Sequence, residues 1–128
     1  EKQDRVEDAI CATKAALKEG IVPGGGIALL NATKILDTSI SGEKILQEAV
    51  KAPYKTILHN AGLPVVDPVR KGMGVNVVTG NMVNMIKAGI IDPLLVTKSA
   101  LKNAASVATT ILSTDCVINN IRIDESSR

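Results

Sequence analysis

The segment Val22-Pro23-Gly24-Gly25-Gly26 separates two apolar-rich stretches and prescribes helix, glycine turn, helix for the opening of the chain. Before it, from Lys2 to Glu19, the larger apolar residues Val6, Ile10 and Leu17 share one stripe with Ala9, Thr13 and Ala16, which is helical spacing. Gly20 is the natural stop for that helix. After the break, the Ala, Leu and Lys content of Ile27 to Leu36 favours helix over strand. Three consecutive glycines let the backbone turn tightly, and they also let it come close to a phosphate or sugar at a helix start, where partial positive charge favours anions. The pattern is neither GxGxxG nor GxxxxGK[ST], so spacing alone favours the plain turn.

Beyond a polar link at Asp37 to Gly42, a third helical pattern runs through Ile45, Leu46, Ala49, Val50 and Ile57, with Pro53 set to bend or divide it and Gly62 placed to cap it. Leu63 to Gly80 differs in kind. Pro64, Pro68, Gly72, Gly74 and Gly80 punctuate short apolar runs such as Val75 to Val78, which predicts a loop with short strands. Ile90-Ile91-Asp92-Pro93 has the form of a helix entrance, Asp92 acting as N-cap acceptor and Pro93 opening the helix. In the helix that follows, Val96, Ala100, Leu101, Ala104, Ala108, Ile111 and Leu112 form one stripe whose alanines allow close approach of another helix. Asp115 to Ile123 reads as a strand, Val117, Ile121 and Ile123 alternating with Asn120 and Arg122.

A chain of 128 residues predicts one domain that buries about two-thirds of its unfolded surface. With no Trp, no Phe and only Tyr54, its core has to be filled by Ile, Leu, Val, Ala and Met. The same scarcity removes any platform for stacking bases, and a net charge of +2 from scattered Lys and Arg falls far below a nucleic-acid footprint. Nucleic acid is therefore not an expected partner. Apolar stretches such as Ile21 to Ala32 are interrupted well before the roughly twenty residues of a membrane span, so the chain reads as soluble. Cys11 and Cys116 lie far apart without metal-ligand spacing, which predicts reduced structural thiols and no metal site. The charged start, Glu1 to Asp8, has no signal-peptide pattern, and an opening in mid-helix sequence without Met suggests a piece of something longer.

Taken residue by residue, the polar candidates have ordinary explanations. Asp8 sits with Asp4, Arg5 and Glu7 on a charged helix start that solvation accounts for, Asp92 serves as a cap, and His59 lacks a nucleophile or acid at a telling spacing. The residues alone define a mostly helical fragment without a complete catalytic set.

Two ordered runs add to this. The run from Arg5 to Leu30, Arg-Val-Glu-Asp-Ala-Ile-Cys-Ala-Thr-Lys-Ala-Ala-Leu-Lys-Glu-Gly-Ile-Val-Pro-Gly-Gly-Gly-Ile-Ala-Leu-Leu, closely resembles group I chaperonins of the GroEL type. So does Gly89 to Ala108, Gly-Ile-Ile-Asp-Pro-Leu-Leu-Val-Thr-Lys-Ser-Ala-Leu-Lys-Asn-Ala-Ala-Ser-Val-Ala. With Ala52-Pro53 and Asn60-Ala61-Gly62 between them, the resemblance covers essentially the whole chain. It implies a mainly α fold: the C-terminal half of an equatorial-domain helical bundle with a small β-hairpin and a C-terminal strand. Residues 1–18 would be the last helix of the intermediate domain, 19–123 the equatorial portion and 124–128 a tail.

The resemblance also implies roles. Asp8, the aspartate of Arg-Val-Glu-Asp, matches the catalytic acid that orients or deprotonates the attacking water. Gly24 and Gly25 match the turn against ribose and adenine, Ile90 the apolar residue on the adenine ring, and Asp92 the acceptor for ribose hydroxyls, a role that displaces the cap. Asn76, Val77 and Val78 stand at the adenine-side contacts, although family members usually carry Gly-Tyr-Asn-Ala-Ala or Gly-Tyr-Asp-Ala where this chain has Gly74-Val75-Asn76-Val77-Val78. The implied cofactor is ATP, with Mg2+ and the phosphate loop supplied by a part of the subunit outside this chain. The implied partners are other subunits in a homo-oligomeric ring, and a co-chaperonin and unfolded clients engaged through other domains. The implied compartment is bacterial cytoplasm, mitochondrial matrix or plastid stroma. The chain alone is expected to show no ATPase activity and to self-associate or partly unfold. The competing expectation is a truncated, non-catalytic interaction module.

Overall fold

The structure, a computed structural model, describes residues 1–37, 39–68 and 70–119. Its order is α1 (Lys2–Glu19), β1 (Ile21–Pro23), α2 (Ile27–Thr33), α3 (Ser41–Val50), α4 (Ala52–Asn60), β2 (Met73–Val75), β3 (Met82–Asn84), β4 (Ile91–Pro93) and α5 (Leu94–Leu112). This is the mainly helical architecture expected, with short strands. Two compact units divide it, Glu1–Lys98 and the segment from Ser99 onward. No helix among the described residues is long and apolar enough to cross a membrane.

α1 ends where the glycine directs it. Gly20 takes φ +85 and donates its N–H to Ala16 O at 2.8 Å. The third helical pattern is divided as its proline requires: α3 stops at Val50, and α4 carries Pro53 in its first turn, where a missing N–H costs nothing. Gly62 closes α4 in a Schellman arrangement. Its N–H donates to His59 O at 2.9 Å, and Leu63 N–H reaches back to Leu58 O at 2.9 Å. Leu63 then packs on the buried cluster that contains Leu58.

That cluster is Ile27, Tyr54, Leu58, Val75 and Met85, with Leu30, Leu63, Met82, Val83 and Ile90 against it. The single aromatic of the chain therefore joins the aliphatic core. Its hydroxyl donates to Val66 O at 2.6 Å, which satisfies the polar end and pins the loop after α4. Burial, with the nearby Asp67 charge, raises the Tyr54 phenol above its usual value.

Four sequence expectations are corrected. The helix from Ile27 stops at Thr33 rather than Leu36, the last residues winding into tighter turns through Ile35 N–H to Ala32 O and Leu36 N–H to Thr33 O. Val75 to Val78 is not one strand. β2 pairs with β3 in antiparallel register, Met73 opposite Asn84 and Val75 opposite Met82, and Asn76 begins the hairpin turn because its Oδ1 accepts Val78 N–H at 3.0 Å. Asp92 is no helix cap. It lies in β4, which pairs antiparallel with β1 so that Val22 faces Asp92, and α5 starts only at Leu94. Finally, residues 115–119 run without regular structure, since no neighbouring strand among the described residues offers them a ladder. The rest of the anticipated strand, 120–123, and the tail at 124–128 lie outside the described residues.

Candidate functional site

The β1–β4 ladder places the glycine turn directly against the segment that leads into α5. Gly24 N–H donates to Ile90 O at 2.9 Å, just past the last strand pair, Pro23 with Ile91. A Cβ on Gly24 would stand 3.2 Å from the Ile90 carbonyl and from Ile91 N, a tight fit that would push the two backbones apart by a few tenths of an ångström. At Gly26, φ is +79 and a Cβ would meet Tyr54 N at 2.9 Å, which seats the turn on α4. The glycines are thus accounted for first by the packing of the chain on itself.

Asp92 emerges next to that junction. Its side chain is exposed, and among the described residues its carboxylate has no hydrogen-bond donor or ion-pair partner. Partial burial nevertheless pushes its carboxyl above the ordinary value, which is what a carboxylate experiences when neighbouring chain replaces part of its water without supplying a donor. Ile90, half-buried, sets an apolar surface beside it. Four of the sequence-derived residues, Gly24, Gly25, Ile90 and Asp92, are therefore brought together at one junction.

Asn76, Val77 and Val78 occupy the tip of the β2–β3 hairpin. Val77 and Val78 are 41% and 90% exposed, so their apolar surface stands open at the hairpin tip. Asn76 spends its carbonyl oxygen on the turn, and the two amide hydrogens remain to donate. The hairpin is held to the glycine turn from below. Gly74 in β2 lies so close to the core that a Cβ there would meet Ile27 Cγ1 at 2.7 Å and Met85 Sδ at 2.9 Å.

Asp8 is not at this junction. It lies exposed on α1, twelve residues before Gly20, about 18 Å along the helix axis. The helix that carries it packs against β4, and its end is fastened by Leu94 N–H to Gly20 O at 3.1 Å and by Lys98 Nζ to Glu19 at 2.6 Å.

Sequence reasoning missed the β1–β4 ladder and Met85. The ladder had one visible signal, that Ile21-Val22-Pro23 and Ile90-Ile91-Asp92-Pro93 both open on β-branched residues and end in proline. Met85 had none.

The arrangement is that of a chaperonin equatorial-domain-like fold. A solved structure described as a group III chaperonin in the open state superposes on 81% of this chain with a TM-score of 0.73 at 27% identity, and the chain spans 25% of that protein's length. The TCP-1/cpn60 chaperonin family model matches residues 1–122, and the chain belongs to that family.

Proposed function

We propose that this chain is the nucleotide-contacting part of an ATP-driven protein-folding chaperonin subunit of group I, comprising an intermediate-domain helix at 1–18 and equatorial sequence from 19 onward. The observation that carries the reading is the convergence of Gly24, Gly25, Ile90 and an unpartnered Asp92 at one junction, in a chain matched to the family over residues 1–122. Group I rests on the two long runs at Arg5–Leu30 and Gly89–Ala108.

The residues fit the sugar and base of ATP. The Asp92 carboxylate accepts hydrogen bonds from ribose hydroxyls, the donors its surroundings lack. Ile90 offers apolar contact to the ring, while Asn76 turns its amide hydrogens and Val77 and Val78 their apolar surface to the base edge. ATP supplies the scissile γ-phosphoryl group, with Mg2+ and the phosphate-binding groups contributed from elsewhere in the subunit. Asp8, on α1, orients the attacking water or accepts its proton. Because about 18 Å of helix separates Asp8 from Gly20, its carboxylate serves the phosphate end while Asp92 serves the sugar end. The ring contacts, co-chaperonin and clients of such a subunit belong to this same proposal, as does its place in bacterial cytoplasm or an organelle derived from bacteria.

The test is equilibrium MgATP binding and steady-state hydrolysis by the full subunit. Asp92→Ala is expected to weaken binding by about tenfold, as loss of a charged hydrogen-bond acceptor does. Asp8→Ala is expected to leave binding intact and to cut turnover by about 100-fold or more, the range for a general base. Unchanged binding in the first variant together with unchanged turnover in the second overturns the reading in favour of a non-catalytic module.

A further inference from the structure

One buried side chain of the core, that of Met85, touches both halves of the candidate site. Met85 is 2% exposed and follows β3. Its thioether fills the space between the glycine turn and the hairpin: a Cβ on Gly25 would lie 2.9 Å from Met85 Cε, and one on Gly74 would lie 2.9 Å from Met85 Sδ. Its backbone makes the same connection. Met85 N–H donates to Gly72 O at 3.0 Å, Met85 O accepts Ile90 N–H at 2.8 Å, and Ile90 O accepts Gly24 N–H at 2.9 Å. A relay of three hydrogen bonds thus runs from Gly72, just before the strand that leads to the Asn76–Val78 tip, through Met85, to the turn that carries Gly24 and Gly25.

We propose that Met85 is the positioning residue that sets the distance between the sugar-side turn at Gly24–Gly25 and the base-side hairpin tip at Asn76–Val78, and thereby the preference for a nucleotide with a base. The inference rests on the nucleotide reading above. The physical basis is that a packed interior transmits displacement rather than absorbing it, so the length and shape of the side chain wedged between Gly25 and Gly74 fix how far apart the two segments stand. Methionine suits the place, because an unbranched, polarizable chain with no β-branch fills a narrow irregular gap against two glycines. Its neighbours Gly25, with φ +64, and Gly74 leave that gap by having no side chains of their own.

The experiment compares the affinity of the full subunit for MgATP with its affinity for Mg-ribose 5′-triphosphate, which has the sugar and phosphates but no base. Met85→Ala is expected to lower the ratio of the two affinities by about tenfold, because only the ligand that spans both segments needs their spacing. Met85→Leu, close to methionine in volume, restores most of the ratio. Leu63→Ala is the structural control: it loosens the same core from the α4 side, lies outside both segments, and leaves the ratio unchanged. Should Met85→Ala not fold, Met85→Val, which removes the Sδ–Cε end but keeps a buried aliphatic group, carries the test, with an expected fall of about threefold. An unchanged ratio in the folded Met85 variant, or an equal fall in Leu63→Ala, overturns the inference. Asp92→Ala separates the two failures, since it should weaken both ligands alike. If it weakens neither, the nucleotide reading itself has failed; if it weakens both while the Met85 ratio stays put, only the positioning role has.

Discussion

α1 and the Ile27–Tyr54–Leu58–Met85 cluster are built from similar apolar residues and meet opposite fates. In the cluster, Leu58 is 1% exposed and Ile27 fully buried; on α1, Leu17 is 83% exposed and no residue is buried. Both have helical spacing that predicts an inward face. The difference lies in what stands opposite. α4 has the glycine turn, the β2–β3 hairpin and the loop pinned by Tyr54 to pack against, whereas α1 is held chiefly through β4 and its last residues among the described residues. The C-terminal unit, taken by itself, behaves as α1 does, with Ile111 62% and Leu112 88% exposed. An amphipathic stripe therefore announces a need for a partner and leaves its identity open.

The same truncation in the two regions breaks or sharpens that contrast. Leu58→Ala removes side-chain atoms from a filled core and should cost about 3 kcal/mol, within the range for buried leucines. Leu17→Ala should cost less than about 0.5 kcal/mol, as exposed substitutions do. Urea denaturation of this chain measures both. A costly Leu17→Ala would mean that α1 finds a partner in solution, another copy of the chain being the first candidate, and a concentration-dependent midpoint would identify it.

Much of the local structure was legible, because capping and helix breaking act over a few residues. Gly20, Pro53 and Gly62 end or divide helices where the sequence places them, and the hairpin's first strand and turn fall within the glycine-punctuated stretch, although its second strand, Met82–Asn84, lies beyond Gly80. The β1–β4 ladder was not legible. Three-residue strands carry no periodicity, and their pairing joins positions far apart in the chain, so Asp92 read as a cap when it is in fact a strand residue. At the candidate site, Gly24, Gly25, Ile90 and Asp92 were recoverable from their ordered runs. Met85 was not, because its role comes from what it touches, and a methionine between Asn84 and Ile86 carries no pattern. Tyr54 was visible as the one aromatic, but nothing in its surroundings revealed that its hydroxyl would hold Val66.

That hydroxyl supports a smaller effect on the buried side of the comparison. Tyr54→Phe keeps the ring and deletes the 2.6 Å bond to Val66 O, at a cost of about 1 kcal/mol. The variant should also differ in pH response. Burial raises the folded phenol above its ordinary value of 10.0, so the unfolded chain gives up this proton first as pH rises. Above about pH 10 the unfolded state binds fewer protons than the native one, and wild-type stability falls until the folded phenol also ionises. Thermal melts between neutral pH and pH 11 should show an alkaline loss in the wild type that is shallower in Tyr54→Phe. Equal slopes would place the titrating group elsewhere.

The smallest effect belongs to Asp92, which stands at the boundary between the two regions. Partial burial raises its folded carboxyl above the ordinary 3.8, so over the window from that value up to the folded one the native chain holds the proton more firmly than the unfolded chain. Stability then falls as pH rises through this window, the reverse of a salt-bridged aspartate. Asp92→Asn removes the ionisation and should flatten that part of the stability profile, leaving the variant equal to or slightly above the wild type at neutral pH. If Asp92 instead met a donor within this chain, the substitution would destabilise at neutral pH and the sign would invert. In the first case the fold leaves the carboxylate without a donor and free to accept one from a ligand; in the second it is a structural group, and the junction at Gly24 and Ile90 has no carboxylate to spare for a ligand.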